Sequence, residues 1–213
     1  MIETLPSLCL FMLRCGVKKE VEFYYDYGSP ASHLAFYRLL QFQEKYGLEI
    51  KYRPILLGGL FKTIGNHPPG SVPAKGKYLF EDFLRYANRY GVRFNFNPYF
   101  PVNTLGLMRA AVALVDDAQA LHTLNKACFD AMWVAQKNMS DPQTIGSVLS
   151  KTDLDLQHLM AAIQNPEIKE NLKQRTQEAV DRGVFGAPTC FFRKQMYWGQ
   201  DRLFFIEEQL SSE

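Results

Sequence analysis

Ser29 is the first residue of the chain whose setting suggests chemistry. It stands in Val21-Glu-Phe-Tyr-Tyr-Asp-Tyr-Gly-Ser29-Pro30-Ala-Ser32-His33-Leu-Ala35, where a β-branched and aromatic run stops at Gly28 and a helical pattern starts at Pro30. A serine just ahead of a Pro-started helix has two readings. In one it caps the helix, its hydroxyl oxygen accepting a backbone N–H of the first turn. In the other it serves a bound anion, because a helix N-terminus gathers N–H groups without intrahelical partners and the positive end of the helix dipole. A thiolate is one such anion. Far downstream, Gly183-Val-Phe-Gly186-Ala187-Pro188-Thr189-Cys190-Phe-Phe192 places a proline at the entrance of an apolar strand, with two glycines at a tight turn before it. X-Pro bonds adopt the cis form far more readily than other peptide bonds. A trans Pro188 would only delimit the strand, whereas a cis Pro188 would leave the N–H and C=O of Ala187 free to pair with an extended peptide, as an added strand would.

Polar residues elsewhere could complete a peptide site around these two stretches. Asp201, in Trp198-Gly-Gln-Asp-Arg-Leu203, opens the last helical pattern, where it either caps that helix or pairs with the ammonium of a γ-glutamyl group. Gln200 beside it can add a polar contact. Asn66 and Lys62 follow the second strand; an amide there could hold a peptide backbone and an ammonium a carboxylate, although a solvated loop residue explains Lys62 equally well. Trp133 with Met132, and Tyr99-Phe100 ahead of Pro101, read as helical core and turn, while an aromatic-lined cleft there would suit an aromatic substrate. The four cysteines, Cys9, Cys15, Cys128 and Cys190, form no Cys-x-x-Cys pair and no zinc-like spacing, which points to reduced thiols and a cytoplasmic setting. His33, His67, His122 and His158 lie at no helical spacing from one another, which argues against a metal site.

The elements that must position these residues follow from local periodicity. Val21–Tyr25 is strand-like; Pro30–Tyr46 is helical, with Ala31, Ala35, Leu39, Phe42 and Tyr46 on one apolar face and Gly47 as terminator; Leu48–Arg53 resumes strand character up to Pro54. Leu57–Lys62 and the Gly- and Pro-rich stretch 65–73 read as an irregular loop. Helical patterns then cover Tyr78–Tyr90, Leu105–Val115, Ala118–Ala135, Ser140–Leu149, Asp155–Ile163 and Pro166–Arg182. Thr189–Phe192 and Gln195–Trp198 read as a hairpin, and a last helix runs from about Gln200 to Leu210. The order is β-α-β, a helical block, then β-β-α, an α/β chain with the thioredoxin topology and an all-helical domain inserted between its halves. The expected division is 18–74 with 178–213 as the thioredoxin-like domain, 75–177 as the helical insertion, and 1–17 as an N-terminal extension. The apolar piece Leu8–Leu13 in that extension is too short to span a bilayer and lacks the basic start of an export signal.

The whole chain, 213 residues with 47% hydrophobic and 14% aromatic content, is rich enough in apolar side chains to exclude wholesale disorder. Its 24 basic residues against 22 acidic ones offer no electrostatic reason to bind nucleic acid or an anionic membrane, which leaves small-molecule or protein partners.

Taken together, Phe23-Tyr-Tyr-Asp-Tyr-Gly-Ser29-Pro30-Ala-Ser32, Arg53-Pro-Ile-Leu-Leu-Gly-Gly59, Gly65-Asn66-His-Pro-Pro69, Phe100-Pro-Val-Asn-Thr104, Lys137-Asn-Met-Ser-Asp141-Pro142, Gly183-Val-Phe-Gly-Ala-Pro188-Thr189 and Trp198-Gly-Gln-Asp201-Arg202 keep an order and spacing that resembles a known family. The chain is similar to 2-hydroxychromene-2-carboxylate isomerases and, more broadly, kappa-class glutathione transferases, both relatives of the disulfide-bond oxidoreductases. The resemblance implies glutathione as a recycled cofactor. It assigns the glutathione sulfur to Ser29, backbone pairing to Ala187, the γ-glutamyl end to Gln200 and Asp201, a loop contact to Asn66 and, less directly, a contact to Lys62. The implied reaction is reversible thiolate addition to a small aromatic carboxylate, interconverting a cyclic hemiketal and an open 2-oxo acid. The alternatives are a kappa-like transferase or peroxidase and a noncatalytic peptide-binding module. A thiol-disulfide oxidoreductase would need the cysteine pair that this helix start lacks. The apolar helical insertion leaves a homodimer open.

Overall fold

A computed structural model gives the fold of residues 19–212, so the expected extension 1–17, with Cys9 and Cys15, lies outside the described residues. The chain opens with β1 (Glu20–Tyr25), α1 (Pro30–Tyr46) and β2 (Glu49–Pro54), a β-α-β unit whose strands pair in parallel, Phe23 opposite Tyr52. At the other end β3 (Thr189–Phe192) and β4 (Gln195–Trp198) form the hairpin read from the sequence, and β3 runs antiparallel to β1 with Phe23 opposite Cys190. The sheet order is β2-β1-β3-β4. β1 is therefore covered by strands on both sides, and Phe23, Tyr24 and Tyr25 are all buried. Pro54, which has no N–H to give a ladder, ends the edge strand β2.

Local sequence explains most helix boundaries. Ser29 caps α1 and Gly47, at φ 70°, terminates it. Between the strands run α2 (Leu57–Ile64), α3 (Pro73–Tyr90), α4 (Leu105–Ala113), α5 (Ala118–Trp133), α6 (Pro142–Leu149), α7 (Leu156–Gln164) and α8 (Pro166–Asp181). Asp117, Asp141, Asp155 and Asn165 each accept a first-turn N–H from their caps. The last helix, α9 (Leu203–Ser211), follows a 3-10 turn at Gln200–Arg202, so Asp201 lies in that turn and not at the start of the helix.

Two further departures from the expected pattern have a common cause. Leu57–Ile64 forms a helix although Gly58 and Gly59 lie inside it, because Leu60, with Leu57 and Phe61, packs on Ile55, Ala179 and Val184 in a small core beneath α8. Apolar burial of this kind stabilises by about 1.5–3 kcal/mol per large side chain, which exceeds the roughly 1 kcal/mol cost of each helical glycine. Helix α1 is not amphipathic at its start: Ser32, His33, Leu34, Ala35 and Phe36 are all buried in sequence. The sheet covers one side of that turn and the insertion covers the other, with Phe36 tilted against Phe129 of α5 at 5.2 Å and His33 in edge contact with the same ring at 5.9 Å. No helix among the described residues is long and apolar enough to cross a membrane.

Candidate active site

The connection from β1 to α1 is held from three directions. The Asp26 carboxylate accepts the N–H of Gly28 at 2.8 Å and the Thr104 hydroxyl at 2.7 Å through Oδ1, and the N–H of Leu57 at 2.9 Å through Oδ2. It thereby ties the connection to the starts of α2 and α4. Burial raises the pKa of Asp26, and the three donors oppose that rise. From the insertion, Trp133 donates its indole N–H to the Tyr27 carbonyl at 2.8 Å, while the Tyr25 and Tyr27 hydroxyls both donate to Asn125 Oδ1, at 2.7 and 2.6 Å.

This clamp fixes Ser29, which is 5% exposed. Its hydroxyl oxygen accepts the Ser32 N–H at 3.1 Å, and its hydroxyl proton is donated to the carbonyl of Ala187, 2.9 Å away and 158 residues along the chain. Ser29 therefore caps α1, as the first reading expects, and its hydroxyl also faces the proline loop. Pro30 has no N–H and Ala31 has no intrahelical acceptor, so the positive end of α1 is presented at the same place.

The Ala187-Pro188 bond is cis. The carbonyl of Ala187 already accepts one hydrogen bond, however, from the Ser29 hydroxyl; the sequence could not show this contact between distant segments. The loop is braced from behind: Thr189 donates to the Gly186 carbonyl at 2.7 Å, and Gly199 N–H donates to the Pro188 carbonyl at 2.9 Å. Gly186 is required for close approach, since a Cβ there would lie 2.6 Å from Trp198 Nε1. The exposed ring of Phe185 leans on Trp198, with centroids 5.1 Å apart.

The other residues singled out from the sequence distribute unevenly around this loop. Asn66, just past the Gly65 terminator of α2, donates from Nδ2 to the Phe185 carbonyl at 3.1 Å, which brings it to the loop's rim. Gln200 is buried and follows the Gly199 that braces Pro188; its carbonyl accepts the Tyr90 hydroxyl at 2.7 Å. Asp201 is half-buried, and Arg202 Nη1 lies 2.9 Å from both of its carboxylate oxygens, so an incoming ammonium would share the carboxylate with Arg202. Lys62 is exposed on the last turn of α2, four residues before Asn66. Nothing in local sequence marks Asp26 or Thr104 as site residues. An acid three residues ahead of a helix-capping serine is visible there, but its burial is not.

Outside this group, two surface concavities of about 190 and 320 Å³ lie beside Arg182 and beside Asp130, and neither includes Ser29. Neither concavity joins a helix N-terminus to the cis-proline loop. Cys128 and Cys190 are buried and unpaired, and burial pushes both thiols well above their ordinary range. Trp133 and Met132 are fully buried core, whereas Tyr99 and Phe100 are exposed. Among the described residues no group of three or more His, Cys, Asp or Glu gathers as a metal ion would require.

A helix-start residue facing a cis-proline loop, on a sheet whose halves are separated by helices, defines the thioredoxin fold in its disulfide-oxidoreductase form. The chain belongs to the DsbA-like thioredoxin domain family, whose model matches residues 20–211. Among its relatives, 2-hydroxychromene-2-carboxylate isomerase of Pseudomonas putida is 32% identical over 201 residues, covering 89% of this chain and 93% of that protein. Glutathione S-transferase kappa 1 of Rattus norvegicus is 28% identical over 196 residues, covering 86% of this chain and 87% of that one. A solved 2-hydroxychromene-2-carboxylate isomerase superposes with a TM-score of 0.82 at 30% identity, covering 91% of this chain and 95% of the other.

Proposed function

We propose that this protein is a glutathione-dependent isomerase of the 2-hydroxychromene-2-carboxylate type, acting on a small aromatic carboxylate in the cytoplasm. The observation that carries this reading is the Ser29 hydroxyl at the mouth of α1, 2.9 Å from the Ala187 carbonyl. A single donor there joins the two features that a peptide thiol would need: a place where negative charge on sulfur is favoured, and backbone groups for an extended chain.

The residues fit such a cofactor. Ala187 would pair with the peptide backbone, Asn66 would bound the same loop, and Gln200 with Asp201 would receive the γ-glutamyl ammonium; exposed Lys62 on the last turn of α2 would reach a carboxylate. When bound, glutathione would supply a thiolate for reversible addition to the unsaturated carbon of the substrate. Ser29 would donate its hydroxyl proton toward the sulfur, and the α1 terminus would add its dipole. A free thiol ionises near pH ~8.5, and each unit of depression needs roughly 1.4 kcal/mol, within reach of one charge-assisted hydrogen bond. Exposed aromatic rings, Tyr99, Phe100 and Phe185 among them, could receive a flat substrate.

The test is a glutathione-dependence assay with 2-hydroxychromene-2-carboxylate, followed optically. Turnover should require glutathione and leave its concentration unchanged. Ser29→Ala should lower turnover about 10- to 100-fold, the equivalent of one hydrogen bond to a charged group. Ser29→Gly, which keeps most of the capping stability, separates that loss from damage to α1. Equal turnover in wild type and both variants would reject the role of Ser29. The kinship with glutathione S-transferase kappa 1 supports a second reading, conjugation. Loss of free thiol matched to product would select it over isomerisation.

A further inference from the structure

The Ser29 hydroxyl has one proton, and the Ala187 carbonyl holds it. Its oxygen is held independently by the Ser32 N–H at 3.1 Å, so the O–H bond can turn without moving the side chain. Turning toward a sulfur anion gains a charge-assisted hydrogen bond but leaves the carbonyl of the half-buried Ala187 without that donor. A carbonyl left unpaired in such a place costs about as much as the new bond gains. A hydroxyl at this position therefore does little for a thiolate unless something else takes the carbonyl.

Resting on the glutathione reading above, we propose that the Ala187 carbonyl is a latch on the Ser29 proton, released by the amide N–H that a peptidyl cysteine carries next to its thiol. An N–H donated to Ala187 replaces the lost donor, the hydroxyl turns to the sulfur, and the thiol proton leaves to bulk water. The site then activates thiols that bear a backbone N–H at the cysteine and leaves simple thiols near their free acidity, which makes Ala187 a determinant of thiol specificity through its backbone. The dipeptide Gly28-Ser29 does not by itself confer this. The latch depends on the cis-proline loop being braced by Thr189 and Gly199, which hold the carbonyl facing the helix.

The experiment compares glutathione with its ester analogue, in which the N–H between the γ-glutamyl and cysteinyl units is replaced by oxygen. The bound thiol of each is titrated at saturation by the ultraviolet absorbance of the thiolate, with wild type, Ser29→Ala and Ser29→Thr. The expected result is a depression of about one pKa unit or more for glutathione, roughly a tenfold rise in thiolate at neutral pH, kept in Ser29→Thr and lost in Ser29→Ala. The ester analogue should show less than about a third of that shift in wild type. An equal depression for the ester analogue would overturn the latch and leave the glutathione reading standing. Depression kept equally in Ser29→Ala would overturn the latch and the role of Ser29, and a glutathione thiol that is not depressed in wild type would overturn the thiolate reading as well.

Discussion

Acid should loosen the turn that carries Ser29, through His33. Its Nε2 donates to the Arg93 carbonyl at 2.8 Å, so Nδ1 is the unprotonated nitrogen, and it lies buried without a partner among the described residues. The ring is enclosed by Tyr37, Phe94 and Phe129, and desolvation lowers its pKa from 6.5 to about 4. Unfolding exposes a histidine that binds a proton near its ordinary pKa, so between those two values the unfolded chain holds more protons than the folded one. The stability His33 contributes is thus fully present above about pH 6.5, falls as the pH drops through that window, and is exhausted near pH 4. A difference of about 2.5 units corresponds to about 3 kcal/mol for the full passage, of which about 2 kcal/mol is lost by pH ~5. His33→Phe keeps a ring of similar size, removes the titration, and gives up one hydrogen bond, at about 1–2 kcal/mol near neutral pH. Urea unfolding of both proteins at about pH 7.5 and pH 5 should therefore show the wild type losing about 2 kcal/mol more than the variant, close to 1 M in midpoint. Parallel stability curves for the two proteins would refute the assignment of a neutral, buried His33.

Other substitutions probe the scaffold of the site. Asp26→Asn replaces a triple acceptor with a group that offers one acceptor and an N–H₂ facing donors, so chemical denaturation should register a loss of about 1–3 kcal/mol, with weaker glutathione binding by calorimetry; a variant as stable as wild type would remove Asp26 from its clamping role. Gly186→Ala drives a methyl into Trp198, and overpacking of about 1–3 kcal/mol should lower the melting temperature by several degrees. An unchanged melting temperature would mean the indole moves aside freely. In a background where Cys9 and Cys15 are replaced by serine, Cys128 and Cys190 should resist a disulfide-exchange reagent until the protein unfolds, since burial disfavours both thiolates; rapid labelling of the native protein would contradict their environment.

Local rules carried the order of elements and several of their ends. Pro30 and Gly47 bound α1 from sequence because a proline suits a first helical turn and a glycine suits a left-handed terminus. The hairpin Thr189–Phe192 with Gln195–Trp198 was legible from short apolar runs, and the parallel β1–β2 pairing followed from the helix between them. Ser29 and Ala187 were legible as a pair of interest because each sits where backbone chemistry is unusual. Their hydrogen bond was not, since it closes a separation of 158 residues and gives the Ala187 carbonyl a donor that the sequence does not show. The same holds for α2, whose glycines argue against a helix until α8 buries Leu60, and for Asp26 and His33, whose protonation depends on what excludes water from them. Periodicity, caps and turn residues act within a few positions of the chain and can be read from it. Desolvation and the sharing of a single proton between two segments exist only after distant surfaces have met, and those are the properties on which the proposed chemistry turns.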